Sequence, residues 1–166
     1  MGEACTAANR MYVHRDIARE FSERLAARMA ELNVGNGLDE GVQVGPLIDA
    51  AARSKVQRLV DDALSRGATA LTGGRPVDGP GYFYPPTVLA DVAPDSDLMT
   101  TEVFGPVAPV IPFVDEDEAV TRANDMDWGL VGYLFTQDID RAFDLSERLE
   151  VGMVGVNTGV CLLYTS

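Results

Sequence analysis

From Ile17 to Asn157 the chain alternates between segments with apolar residues at helical spacing and short apolar runs, and this alternation limits the fold more than any other feature. In IAREFSERLAARMAEL the residues Ile17, Phe21, Leu25, Met29 and Leu32 fall on one stripe, with Asp16 as the N-cap and Gly35 past the end. A second helix is predicted from about Asp49 to Arg66, with Val56, Leu59, Val60 and Ala63 inward and Gly67 as its stop. GATALTGG reads as a short strand and turn, and TVLADV as another strand. VAPVIPF is an apolar run whose two prolines point to an edge or an irregular path. Asp115 with Glu118 three positions on begins a helix that Asn124 ends. GLVGYLFT then reads as a buried strand, a helix runs from about Ile139 to Leu149, and MVGVN is a final strand.

The pattern predicts an α/β fold, a mostly parallel sheet flanked by helices and joined by right-handed crossovers. At 166 residues it is one domain's worth of chain, with no internal repeat and no low-complexity linker. No G-x-G-x-x-G opens a helix after a strand, and no G-x-x-x-x-G-K-[ST] loop is present. The glycine-rich GNGLDEG, between a helix end and the GPL turn, reads as a loop. A complete phosphate cradle is therefore not expected within these residues.

Charge narrows the partners. Thirteen basic against 26 acidic side chains leave a net charge of -13, which repels nucleic acid and anionic membrane surfaces. No apolar run approaches the roughly 18 residues of a membrane span. The amino end carries Glu3, Arg10 and His14 in place of a basic segment followed by an apolar one, so no signal peptide is expected and a cytoplasmic location is.

Cys5 and Cys161 lie near opposite ends without metal-ligand spacing, and His14 is the single histidine. Neither a disulfide framework nor a metal site is expected. Cys5 sits among small residues in GEACTAANR, and from composition alone it is either a small buried hydrophobe or a nucleophile.

Five separated stretches share one resemblance. GEACTAANR fits the cysteine signature of the aldehyde dehydrogenase superfamily, a glycine, a glutamine or glutamate, any residue, then the nucleophile. VGPLID resembles a loop of that family, and GYFYPPTVL resembles its G-x-F-x-x-P-T stretch. TEVFGPVAPV is similar to its E-E-x-F-G-P motif, and DWGLVGYLFTQD followed by GMVGVNTG matches its carboxyl-side strands in order. The resemblance spans Gly2 to Val160, and GEACTAANR with VGVNTG is most similar to the succinate-semialdehyde dehydrogenase branch.

The resemblance implies an NAD- or NADP-dependent aldehyde oxidation in which Cys5 is the nucleophile. Cysteine suits that role because its thiolate is accessible near neutral pH and its acyl product is labile. Small neighbours, Gly2, Ala4, Thr6 and Ala7, leave the sulfur open to substrate and to a nicotinamide ring. The backbone N–H of Cys5 is the implied half of an oxyanion hole. Glu102 matches the second acid of E-E-x-F-G-P, implied to accept the ribose hydroxyls, and Phe104 the aromatic implied to lie beside the nicotinamide. Outside the resemblance, Glu102 reads as a solvated carboxylate and Phe104 as a core ring. Thr101 stands where the family has the first acid, Glu3 where it more usually has glutamine, and Ala7 where some relatives carry a second cysteine. Asn157 matches the end of a V-x-V-N strand, with a structural role implied.

The resemblance further implies that the dinucleotide-binding domain, the general-base glutamate, the oxyanion-hole asparagine and a substrate-gripping arginine all precede Cys5, so that Met1 is an internal methionine. Residues 1–160 are then part of a catalytic domain, inactive alone, whose parent is a homodimer or homotetramer acting on a small aldehyde. CLLYTS, residues 161–166, resembles the translation of a library adapter and is expected to be a non-native tail. Three alternatives remain open: another aldehyde dehydrogenase branch acting on betaine or aliphatic aldehydes, a non-catalytic homologue, and a different cysteine enzyme for which His14 would be the partner.

Overall fold

The computed structural model describes residues 1–159, which form two compact units, residues 1–113 and residues from 114 onward. Val160 and the proposed tail at 161–166 lie outside the described residues.

The first unit is built on a four-stranded sheet. Its elements are β1 (Met11–His14), α1 (Arg15–Ala30), α2 (Ala50–Ser65), β2 (Thr69–Thr72), β3 (Thr87–Ala90) and β4 (Val107–Phe113), with a short 3-10 helix at Asp97–Met99. The strand order is β1-β4-β3-β2. β1 and β3 both run parallel to β4, with Met11 opposite Val110 and Thr87 opposite Val107, and β2 closes one edge antiparallel to β3. Side chains alternate across these strands and divide into two cores. Val88, Ala108 and Val110 pack with Val13, Ala18, Ala26 and Met29. Leu89, Val107 and Ile111 pack instead with Val56, Leu59, Val60 and Ala63 of α2 and with Leu98 and Val103. A fully buried side chain of this size contributes about 1.5–3 kcal/mol, so these two clusters hold the unit together.

Two buried hydroxyls show how interior polar groups are matched. Thr87, fully buried, accepts from the Gly74 N–H at 2.9 Å and donates to the Pro85 carbonyl at 2.9 Å. The Tyr84 hydroxyl donates to Gln57 Oε1 at 3.1 Å, and burial, reinforced by nearby Asp61, pushes its pKa above the ordinary phenol value.

Helix α2 is as predicted, capped by Asp49 with Val56, Leu59, Val60 and Ala63 inward, and Gly67 follows it at φ +100°. Helix α1 differs. The predicted stripe of Ile17, Phe21, Leu25, Met29 and Leu32 is rotated: Ala18, Ser22, Ala26 and Met29 are buried, Leu25 is partly so, and Ile17 is 55% exposed. Small residues on the inner face let the helix lie close to the sheet, and Ser22 satisfies its buried hydroxyl by donating to the Ala18 carbonyl at 2.7 Å. The N-cap is His14, whose Nδ1 accepts from the Asp16 N–H, so Asp16 belongs to the first turn.

Strand β4 is a second correction. The prolines of VAPVIPF point to an edge, yet β4 lies between β1 and β3. Pro109 and Pro112 each withhold one donor, while Val107, Ala108, Val110 and Ile111 are all buried, and that burial outweighs two missing ladder bonds. Strand β1, four residues abutting α1, has no counterpart in the sequence prediction.

The second unit contains α3 (Glu116–Asn124), β5 (Val131–Leu134), α4 (Ile139–Arg148) and β6 (Met153–Val156). Asp115 and Asp138 cap the two helices. β5 and β6 pair in parallel around α4, Val131 opposite Met153, forming a β-α-β unit. β5 is half-buried along its length and not buried as predicted, because only one strand pairs with it among the described residues. Asn157, at φ +54°, accepts from the Thr136 N–H and donates to the Thr136 carbonyl, pinning the chain after β5. No helix among the described residues is long and apolar enough to cross a membrane.

Candidate active site

Cys5 is exposed, in a turn closed by a hydrogen bond from the Ala7 N–H to the Ala4 carbonyl at 2.9 Å. The turn is seated by Gly2. Its φ of +74° favours glycine, and a Cβ there would lie 2.1 Å from the Gly105 carbonyl oxygen, so backbone meets backbone at this point. Gly105 is itself confined, since a Cβ on it would come within 2.7 Å of Val56 on α2.

The stretch after the cysteine is tied to the same partner loop. The Val103 N–H donates to Asn9 Oδ1 at 3.1 Å, across 94 positions of sequence. Arg10 Nη1 donates to the Met99 carbonyl at 3.4 Å, and Lys55 Nζ, from α2, donates to the Glu102 carbonyl at 3.2 Å. Residues 99–105 are thus held from the Cys5 segment and from α2 together.

Between those ties the backbone is strained. Phe104 has φ +52°, a left-handed conformation that costs a bulky residue roughly 1–3 kcal/mol, and its side chain is 37% exposed. Such strain persists only where neighbouring contacts over-determine it; here the Val103 N–H is held on one side and buried Gly105 on the other.

Of the three predicted site residues, Cys5, Glu102 and Phe104, all are exposed, and the fold brings the loop of the first against the loop of the other two. Phe104 is not the core ring that its residue type alone suggests. A carboxylate accepts two hydroxyl donors and an exposed ring offers an apolar face, so Glu102 and Phe104 are of a type to hold the ribose and nicotinamide of a dinucleotide. Among the described residues no cluster of three or more His, Cys, Asp or Glu side chains is arranged to hold a metal ion.

The sequence model of the aldehyde dehydrogenase family matches residues 1–163. The chain belongs to this family. It is 51% identical over 160 residues to a succinate-semialdehyde dehydrogenase of Paenarthrobacter nicotinovorans, covering 96% of this chain and 36% of that relative. It is 45% identical over 159 residues to a glutarate-semialdehyde dehydrogenase of Pseudomonas putida, covering 96% of this chain and 33% of the relative. Its fold is that of the crystal structure of a succinate-semialdehyde dehydrogenase from Burkholderia pseudomallei, with TM-score 0.94, 44% identity, and coverage of 96% and 33% of the two chains. The chain therefore spans about a third of the length of the aldehyde dehydrogenases it matches, and the predicted α/β fold is the family's.

Asn9, Arg10 and Lys55 escaped the sequence prediction. Asn9 and Arg10 lie within GEACTAANR, but their partners are backbone groups of residues 99–103, and a backbone partner leaves no trace in side-chain identity. The glycine of F-G-P was the one available signal, because a glycine on the partner loop is consistent with close backbone approach.

Proposed function

We propose that this chain is the nucleophile-bearing part of an NAD- or NADP-dependent aldehyde dehydrogenase whose substrate is succinate semialdehyde. The observation that carries the reading is exposed Cys5 on a turn seated by Gly2 against Gly105, next to the loop of Glu102 and Phe104. Family membership and the relatives that act on carboxylated semialdehydes support it further.

In this reading the Cys5 thiolate adds to the aldehyde carbon, forming a thiohemiacetal whose oxyanion accepts a hydrogen bond from the Cys5 N–H. Glu102 would accept the ribose hydroxyls of NAD or NADP, and Phe104 would offer an apolar face to its nicotinamide. The dinucleotide would supply the hydride acceptor that this oxidation needs, and Cys5 would hold the acyl group as a thioester once the hydride has left the thiohemiacetal carbon. Water, activated by a general base supplied from elsewhere in the parent protein, adds to the thioester carbon, releases the carboxylic acid and returns the proton to sulfur. The segment alone is inactive, because base and dinucleotide platform each supply orders of magnitude in rate. The parent acts in the cytoplasm as a homodimer or homotetramer.

The test is to complete the coding sequence, express the full-length protein, and follow NAD(P)H formation with succinate semialdehyde and with a neutral aliphatic aldehyde, beside Cys5→Ala. Oxidation that prefers the acidic aldehyde and disappears in Cys5→Ala supports both substrate and nucleophile. Preference for the neutral aldehyde assigns another branch. Absence of oxidation of any aldehyde, or full activity in Cys5→Ala, overturns the nucleophile and leaves a non-catalytic homologue.

A further inference from the structure

We infer that Asn9 is a positioning residue that sets the Phe104 ring and the Glu102 carboxylate relative to the Cys5 sulfur; this rests on the functional reading above. Asn9 follows the cysteine by four positions, and its Oδ1 accepts from the N–H of Val103, the residue between Glu102 and Phe104. One side chain thus spans from the nucleophile's segment to the middle of the loop carrying both cofactor groups.

The backbone shows what the bond holds. Phe104 is left-handed at φ +52° while still partly exposed, so its own packing does not explain the conformation. The Glu102–Val103 peptide, one residue earlier, donates its N–H to Asn9, and Gly105 after Phe104 is wedged between Gly2 and Val56. The Gly2 contact fixes where the two loops touch, because it is backbone against backbone. It leaves rotation of the loop about that point free, and a second tie on the far side of Phe104 removes that rotation. Asn9 supplies it on the N–H of the Glu102–Val103 peptide, with Lys55 on the carbonyl of that same peptide and Arg10 on the Met99 carbonyl further back.

Asparagine fits the task chemically. Its amide oxygen accepts from a backbone N–H without adding a fixed charge to the nucleophile's segment, and its neutrality leaves the sulfur's nucleophilicity to its own surroundings. Loss of the bond should therefore affect how the dinucleotide is held against the sulfur, and not the intrinsic reactivity of the thiol.

The experiment uses the full-length protein with Asn9→Ala, Asn9→Ser, Asn9→Asp and, as a separate control, Cys5→Ala. Steady-state oxidation of succinate semialdehyde gives kcat and the KM for NAD(P)+, and the part of cofactor-free iodoacetamide alkylation that disappears in Cys5→Ala reports Cys5. Asn9→Ala should raise the cofactor KM and lower kcat/KM by about five- to tenfold, the loss of one hydrogen bond, with cofactor-free alkylation within about twofold of the parent. Asn9→Asp keeps the acceptor and should restore the cofactor KM to within about threefold, with Asn9→Ser between the two. Should Asn9→Ala fold poorly, the ordering of Asn9→Ser against Asn9→Asp carries the same contrast. Cofactor KM and kcat unchanged in Asn9→Ala, or turnover and alkylation falling together in that variant, overturn the positioning role. Activity surviving in Cys5→Ala instead overturns the nucleophile assignment, and the two failures are separately visible.

Discussion

At position 2 any residue other than glycine would put its Cβ 2.1 Å from the Gly105 carbonyl oxygen, so Gly2 and Gly105 form a contact with no room for a side chain. Gly67 provides the comparison: at φ +100° it too favours glycine, but nothing lies within 4 Å of a Cβ built there. Gly67→Ala should cost about 1–2 kcal/mol from backbone strain alone. Gly2→Ala carries the same strain and also forces the two loops apart, so aldehyde oxidation by the full-length protein should fall far more than in Gly67→Ala. Thermal unfolding and turnover measured on both variants check the contrast; equal effects would show that the contact does not matter.

Glu102 gives a prediction separate from that for Cys5. If its carboxylate accepts the ribose hydroxyls, Glu102→Gln retains the side chain's size but weakens acceptance, and the KM for NAD(P)+ should rise about tenfold. Cofactor-free alkylation of Cys5 should not change. A cofactor KM equal to the parent's would remove Glu102 from the site.

The buried face of α1 makes a third. Ala26 is 7% exposed and packs in the cluster of Val88, Ala108 and Val110. Ala26→Leu should destabilise by about 1–3 kcal/mol through overpacking, measured by denaturant unfolding. Were the stripe of Ile17 and Phe21 the inner one, Ala26 would face outward and the substitution would be neutral.

Asp62 gives the pH dependence. It accepts from Arg66 Nε at 2.7 Å, from the Asp97 N–H at 2.8 Å and from Ser96 Oγ at 2.9 Å, and these bonds, Arg66 first, hold its pKa below the ordinary 3.8. A carboxyl depressed on folding stabilises the protein at every pH above its unfolded value, and that stability is lost as pH falls through 3.8 toward the lower native value. Asp62→Ala should therefore lower stability by about 1–2 kcal/mol at neutral pH, with the difference from the parent shrinking under acid. Unfolding midpoints at pH 7 and below pH 3.8 check the sign; a difference that grows in acid would reverse it.

Local patterns carried much of the architecture. Helix α2, its Asp49 cap and the Gly67 stop follow from spacing and cap chemistry, as do the Asp115 and Asp138 starts of α3 and α4. Strand β4 shows where such reading fails. Prolines describe a donor's absence, whereas a strand's place in a sheet is decided by what covers both its faces, and Val107 to Ile111 are covered on both. Helix α1 failed for a related reason, because a ranking by hydrophobicity favours Ile17 and Phe21 over the alanines that permit close approach.

By itself the sequence determined the family and the alternation of helices and strands, and it offered Cys5, Glu102 and Phe104 as the expected site residues, because these are written in short motifs and local periodicity. Only the tertiary structure decided that the turn of Cys5 and the loop of Phe104 touch, that Asn9 ties them, and that Phe104 is held left-handed. Those contacts join residues about a hundred positions apart, and on the 99–105 loop the partner atoms are backbone ones, which every residue possesses, so side-chain types there record little beyond the glycine.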